Sequence, residues 1–295
     1  MGILFGLTAA VAWAAADFLA RHVSRRIGPN RAFIFMQWVG LALLSIYFAA
    51  VTPALWTTLA SPLSRPARNA WEGACLAGIL NIGASISLYR AFAAGKLALV
   101  TPIAASYPAL TVVLAFASGE RLKTMADAGI AVVLAGVMLT VIPGVTASGR
   151  SRLPRDKTER GLGWAITAAL GFGVMFWLLG FHVTPLLGGA LPLWLMRLMG
   201  AFIVVLLPLR RQTVPVIPRG SVWWPLAASA LLDTTAFVAN NVGLALGPVS
   251  VVTALASLFG ALAVLLAWIF LGERLSRRQW LGVTLIFVGV ALVSI

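Results

Sequence analysis

Ten apolar runs, each about 20 residues long, follow one another along this chain of 295 residues with little between them. A helix rises about 1.5 Å per residue, so each run can cross a hydrocarbon core roughly 30 Å thick. The runs fall near residues 3–22, 33–52, 71–93, 97–118, 126–143, 161–182, 190–208, 221–246, 249–271 and 278–295. They are continuous instead of alternating, and a helix satisfies its own backbone polar groups, so helices are expected and not a barrel. The pattern predicts an all-α polytopic membrane protein with ten transmembrane helices. Composition agrees: 61% of residues are hydrophobic and 10% charged, against about 25% charged in a soluble domain.

The net charge of +14 would suggest nucleic acid for a soluble chain, but no basic run is interleaved with aromatics in a soluble module. Its distribution fits a membrane protein instead. Of the 22 Lys and Arg, 17 lie in the loops after spans 1, 3, 5, 7 and 9, whereas the opposite side carries Arg65, Arg68, Arg121 and Lys123. Basic loops stay in the cytoplasm, which predicts that both termini face outside. The partners expected are a small-molecule substrate and membrane lipids, with no nucleic acid, and the chain is expected to work as a monomer. Cys75 is the single cysteine and the histidines are His22 and His182, so no Cys/His cluster for zinc exists and neither metal nor cofactor is expected.

The chain also resembles itself. GKLALVTPI at 95–103 matches GPVSVVTAL at 247–255 at an offset of 152, and GERL at 119–122 recurs at 272–275 at an offset of 153. LTAAVAW at 7–13 aligns with ITAALGF at 166–172, and FMQWVG at 35–40 with LMRLMG at 195–200. Residues 1–146 and 161–295 are therefore read as two five-helix repeats joined by a polar linker at 147–160. Span 1 has a counterpart in span 6, so it is expected to be a structural helix, not a signal peptide; it also lacks a basic n-region. Five is odd, so the second repeat enters the membrane inverted, and a pseudo-twofold axis lies in the membrane plane. The GERL charges are expected in water, with Gly119 and Gly272 closing the preceding helices in a left-handed cap.

Two five-helix halves, each ending in G-E-R-L before a glycine-containing last helix (GIAVVLAGVML at 129–139, GVTLIFVGVAL at 282–292), resemble the EamA-type ten-helix branch of the drug/metabolite transporter superfamily. Within that branch the chain is similar to the YddG-like exporters of amino acids and related metabolites. The resemblance covers the whole chain. It implies a central cavity lined by helices 1–4 and 6–9, with helices 5 and 10 outside, in a bacterial inner membrane. Many members are drawn with cytoplasmic termini, opposite to the loop charges.

Polar groups within spans are costly, about 2.5–3.5 kcal/mol for a central Arg or Asp on translocon scales, so they mark a wet cavity or a partner. On span 3, Asn81, Ser85 and Tyr89 share one helical face; on span 8, Asp233, Phe237 and Asn241 lie 152 residues beyond them. The alternative for each Asn or Ser is helix–helix hydrogen bonding. Gln37 and Arg197 correspond across the repeat, and Arg197 lies too deep in span 7 to snorkel. Its planar guanidinium either forks a substrate carboxylate or pairs with Asp233. Trp13, Asp17 and Arg21 share a face of span 1, with Asp17 and Asp233 candidates for proton coupling and Arg21 a candidate i,i+4 partner of Asp17. Tyr107 before Pro108 and Phe259 before Gly260 mark loosened helices and complete the substrate-binding set.

These features predict a secondary transporter working by alternating access, with export of amino acids, aromatic or hydrophobic ones included, as the first reading. The alternative is a carrier of other amphipathic drugs or metabolites. No G-x-x-x-x-G-K-[ST] loop is present, and neither H-E-x-x-H nor G-x-S-x-G occurs, so no catalytic residues and no ATP site are expected. A membrane-embedded enzyme lacks its reactive constellation, and a scaffold or receptor leaves the symmetry-related polar positions unexplained.

Overall fold

The computed structural model describes residues 1–51, 65–94, 100, 103–121, 124–141, 155–209, 220–272 and 276–293. Its helices, in chain order, are α1 (Gly2–Ile27), α2 (Pro29–Val51), α3 (Arg65–Ala94), α4 (Tyr107–Ala117) and α5 (Thr124–Val141) in the first half. The second half has α6 (Arg155–Leu178), α7 (Ala190–Leu209), α8 (Trp223–Leu246), α9 in two segments (Val249–Ala256 and Leu258–Leu271) and α10 (Arg277–Val293). Each predicted span has a helix, and no strand occurs among the described residues. Of the expected linker, residues 147–154 lie outside the described residues, and α6 already begins at Arg155.

Segments Gly2–Ile27, Pro29–Ala50, Arg68–Ala94, Gly161–Leu187 and Val249–Phe270 are each long and apolar enough to cross a membrane. Helix α8 has the length but is less apolar, because Asp233, Thr234, Asn240 and Asn241 interrupt it; the last three are buried inside the bundle. The polarity that lowers its hydropathy is turned toward protein, as the cost of polar groups in lipid requires.

The packing repeats across the two halves. Helix α1 lies along α8 and also touches α9; symmetrically, α3 lies along α6, and α6 touches α4. Helices α2 and α7 pair. Helices α5 and α10 pack chiefly on each other, and glycine explains how closely. A Cβ on Gly136 would sit 2.7 Å from the Gly282 carbonyl oxygen, and one on Gly289 would sit 2.7 Å from the Gly129 oxygen. Gly136 and Gly289, and likewise Gly129 and Gly282, are 153 residues apart, so the contact maps onto itself when the halves exchange. Small residues at such a crossing let helix backbones approach in lipid, where van der Waals contact drives association.

Three local features shape the cavity region. The span of α4 is broken before Tyr107: Val100, Ile103 and Ala104 are helical, and a turn follows in which the Ser106 hydroxyl donates to the Ile103 carbonyl at 2.7 Å. Helix α9 breaks at Ser257, whose hydroxyl donates to the Ala254 carbonyl at 2.6 Å. The two serines are 151 residues apart, one short of the 152 that relates Tyr107 to Phe259, so the two breaks fall at neighbouring positions of the repeat. Helix α6 passes into a π-helical turn, Leu179–Val183, where the Thr184 amide reaches back to the Leu179 carbonyl, followed by the short helix Thr184–Leu187. Pro185 follows directly and has no N–H to continue the α-ladder, which accounts for the altered turn.

The GERL turns depart from expectation in one respect. Gly119 and Gly272 do adopt left-handed φ values, +93° and +63°, and the Gly119 amide returns to the Phe116 carbonyl at 3.0 Å. Arg121 is exposed and donates to the Phe116 carbonyl at the same helix end. Glu120, however, is half-buried: its carboxylate accepts the backbone amide of Ser250 at 3.2 Å. The first turn of a helix leaves its N–H groups without partners, and a carboxylate satisfies one of them while meeting the positive end of the dipole. The second turn's Glu273, Arg274 and Leu275 lie outside the described residues.

Candidate functional site

Between the halves lies a cavity of about 50 Å³, space for a few waters, whose wall draws on α1–α4 and α6–α9 and on neither α5 nor α10. Its polar end is built around Arg197 of α7, which is 4% exposed. The guanidinium donates through Nη1 to Oε1 of Gln37 on α2 and through Nη2 to Oδ2 of Asp233 on α8, so one side chain ties together three helices from both halves. The repeat counterparts Gln37 and Arg197 thus meet directly. These bonds engage two of the five guanidinium donors; Nε has no partner. The guanidinium carbon also lies 5.6 Å from the Phe237 ring centroid, on the edge of the aromatic part of the site.

That aromatic part is centred on Trp13, whose ring meets Phe237, Phe176 and Phe259 edge-on at centroid distances of 5.1, 5.6 and 5.9 Å. Tyr107 packs against Phe176 at 4.9 Å and stacks with Phe259 at 6.4 Å. The two rings paired by the repeat are therefore in contact. Edge-on pairs of this kind contribute about 0.5–1.5 kcal/mol beyond burial and hold rings in fixed orientations. Among the aromatics sit polar atoms without partners: Oδ2 of Asp17, the Tyr107 hydroxyl and Nε2 of Gln37. Unsatisfied buried polar atoms typically cost about 1–3 kcal/mol each, and these three belong, with Nε of Arg197, to residues that line one cavity.

The predicted residues separate into two groups. Trp13, Asp17, Gln37, Ser85, Tyr89, Tyr107, Arg197, Asp233, Phe237 and Phe259 all line the cavity. Asn81 and Asn241 do not. Asn81 is buried behind Ser85, whose hydroxyl donates to it at 3.4 Å, and Asn241 donates to the Gly189 carbonyl at 3.0 Å, holding α8 against the turn before α7. Asn241 therefore takes the helix-joining role that was its alternative.

Four lining residues lay outside the predicted set: Phe33, Leu88, Phe172 and Phe176. Two had a signal in the repeat. At the offset of 159 that aligns LTAAVAW with ITAALGF, Phe172 is the mate of Trp13 and Phe176 the mate of Asp17. Helix α6 thus supplies two phenylalanines where α1 supplies a tryptophan and a carboxylate, and the polarity of the cavity is correspondingly uneven.

With Arg197 matched by Asp233, Asp17 is the one further acidic side chain among the lining residues. The arrangement offers a guanidinium held by two partners, an extra carboxylate and an apolar aromatic wall. It suits a small amphipathic molecule with a charged head.

A solved crystal structure superposes on the chain with a TM-score of 0.74 at 19% sequence identity, covering 99% of this chain and 95% of the other, a likeness of fold. No curated protein sequence matches. The model of the EamA-like transporter family matches residues 1–142 and 159–295, one match for each half and nearly the whole chain. Two matched repeats, the all-helical fold of the described residues and the cavity between halves lead to one conclusion: the chain belongs to the EamA-like transporter family, within the drug/metabolite transporter superfamily.

Proposed function

We propose that this transporter exchanges amino acids, hydrophobic and aromatic ones among them, by alternating access, and that it works as an exporter in a bacterial inner membrane. The observation that carries the reading is the bridge from Arg197 to Gln37 and Asp233 beside the aromatic wall of Trp13, Tyr107, Phe176, Phe237 and Phe259. A zwitterion matches it at both charges. Its carboxylate takes guanidinium donors of Arg197, its ammonium faces Asp17 and Asp233, and its side chain lies on the rings. A bidentate guanidinium–carboxylate contact supplies directionality that Lys would not.

At about 50 Å³ the cavity is narrow, so entry of a substrate requires the wall to move. The breaks before Tyr107 and at Ser257 put the means for that motion beside the rings themselves. Inverted repeats then give two equivalent rearrangements, one opening to each side.

The surplus carboxylate favours one second reading, transport of amphipathic cations, with the aromatic wall acting on the cation through its π faces. Counterflow in proteoliposomes separates the two. The amino-acid reading expects labelled leucine or phenylalanine to exchange with unlabelled zwitterions, and exchange confined to lipophilic cations would overturn it.

A further inference from the structure

A second cavity, of about 610 Å³, lies where the C-terminal end of α1 meets the start of α8, away from the site between the halves. Arg21, Arg25 and Arg26 line it together with Phe18 and Leu19, and Trp224 of α8 lies opposite. Among the described residues, no carboxylate lines it. In sequence, Asp17 directly precedes Phe18 but lines the cavity between the halves, and no Asp or Glu lies between it and Glu72. Arg25 is fixed against α3 by donating from Nε to the Phe92 carbonyl at 3.5 Å.

The cavity is graded along α1. Phe18 and Leu19 precede Arg25 and Arg26 by seven residues, about 10 Å along the helix, so the wall passes from apolar to cationic toward the helix end. Trp224 is 69% exposed, a large amphipathic ring of the type that sits at the headgroup level. The inverted repeat provides an internal comparison. At the offset of 159, the positions of Arg21, Arg25 and Arg26 are taken in α6 and its continuation by Gly180, Thr184 and Pro185. The arginine positions of this cavity therefore have no basic counterpart in the second half. The cavity's end of the bundle also bears most of the basic loop residues.

We propose that this cavity binds an anionic phospholipid of the adjoining leaflet. The guanidinium groups meet its phosphate, and Phe18, Leu19 and Trp224 meet the upper acyl chain. A soluble anion would use the cationic part alone; the graded wall fits a molecule with both parts. Basic pockets between transmembrane helices commonly hold anionic headgroups.

The test is native mass spectrometry of the purified full-length protein with phosphatidylglycerol or phosphatidylcholine, with and without excess inorganic phosphate. The expected result is preferential retention of phosphatidylglycerol that inorganic phosphate does not displace. At about fivefold per surface arginine, the double variant Arg25→Gln, Arg26→Gln should bind phosphatidylglycerol about 30-fold more weakly, while counterflow in phosphatidylcholine vesicles stays unchanged. Equal retention of both lipids, displacement by inorganic phosphate, or undiminished preference in the folded double variant would each overturn the proposal. A raised substrate KM in phosphatidylcholine vesicles would also do so, marking a substrate vestibule. If the double variant does not fold, the lipid preference and phosphate competition of the unmodified protein decide.

Discussion

The Glu120 carboxylate, in the turn after α4, accepts the backbone amide of Ser250 at the start of α9, a link between the two halves across 130 residues of sequence. Two opposed effects act on this group. Burial pushes its carboxyl above the ordinary glutamate value, and the hydrogen bonds from Ser250 pull it back without cancelling the rise.

The sign of the stability effect follows from linkage. The folded protein holds the Glu120 proton more tightly than the unfolded chain, so stability attributable to this group is fully present below about pH 4.5 and declines as pH rises through the folded value. Glu120→Gln keeps an acceptor for the Ser250 amide and removes the titration. Thermal unfolding in detergent should therefore show the variant gaining on the parent as pH is raised from 4 toward 7. A constant difference across that range would mean that Glu120 titrates as it does in water.

The crossing of α5 and α10 predicts a packing effect with a built-in control. Gly136→Ala and Gly289→Ala each place a Cβ within 2.8 Å of backbone atoms of the other helix, and overpacking of this kind costs about 1–3 kcal/mol. Gly83→Ala meets nothing within 4 Å and should be neutral or slightly stabilising. Thermal midpoints of the three variants measure this; equal midpoints would show that α5 and α10 do not pack as described.

The loop asymmetry, 17 basic residues against four, predicts that both termini lie outside the cytoplasm. A C-terminal alkaline phosphatase fusion in a bacterial host should be active and a C-terminal fluorescent protein dark. The reverse pattern would restore the orientation commonly drawn for the family.

Asp17 and Asp233 differ in setting, and the difference makes a prediction about coupling. Asp233 is engaged by Arg197, whereas Oδ2 of Asp17 has no partner. Asp17→Asn should abolish accumulation driven by a pH gradient but leave counterflow, which needs no net proton movement. Asp233→Asn leaves Arg197 as a buried charge without its carboxylate, and loss of such a partner costs about 3–5 kcal/mol. Its variant should be unstable as well as inactive. Unchanged pH dependence in Asp17→Asn would favour facilitated diffusion.

How far the sequence reached depended on the reach of each signal. Apolar periodicity and the self-match are properties of single helices and of the whole chain, so the spans, the pairing of Gln37 with Arg197 and the pairing of Tyr107 with Phe259 were legible. Phe172 and Phe176 were not singled out, because an aromatic on an apolar helix looks the same whether it faces a core or a cavity. Only their alignment with Trp13 and Asp17 distinguishes them. Glu120 was read as solvated because nothing local says that its turn meets a helix start 130 residues away. Asn81 and Asn241 share the face that the four-residue spacing assigns but are not among the lining residues, and Asn241 donates to the Gly189 carbonyl instead.

The central claim is that Arg197 reads a substrate carboxylate in the cavity between the halves. Its most direct test is counterflow by Arg197→Gln and Arg197→Lys proteoliposomes, each assayed with the best amino acid and with its neutral amide analogue. Charge-assisted hydrogen bonds contribute about 1.5–3 kcal/mol, so Arg197→Gln should lose at least about tenfold for the amino acid, with Arg197→Lys between it and the parent. The amide analogue should change far less. If amino acid and analogue decline together in a correctly folded variant, Arg197 serves only to join Gln37 and Asp233, and the carboxylate assignment is wrong.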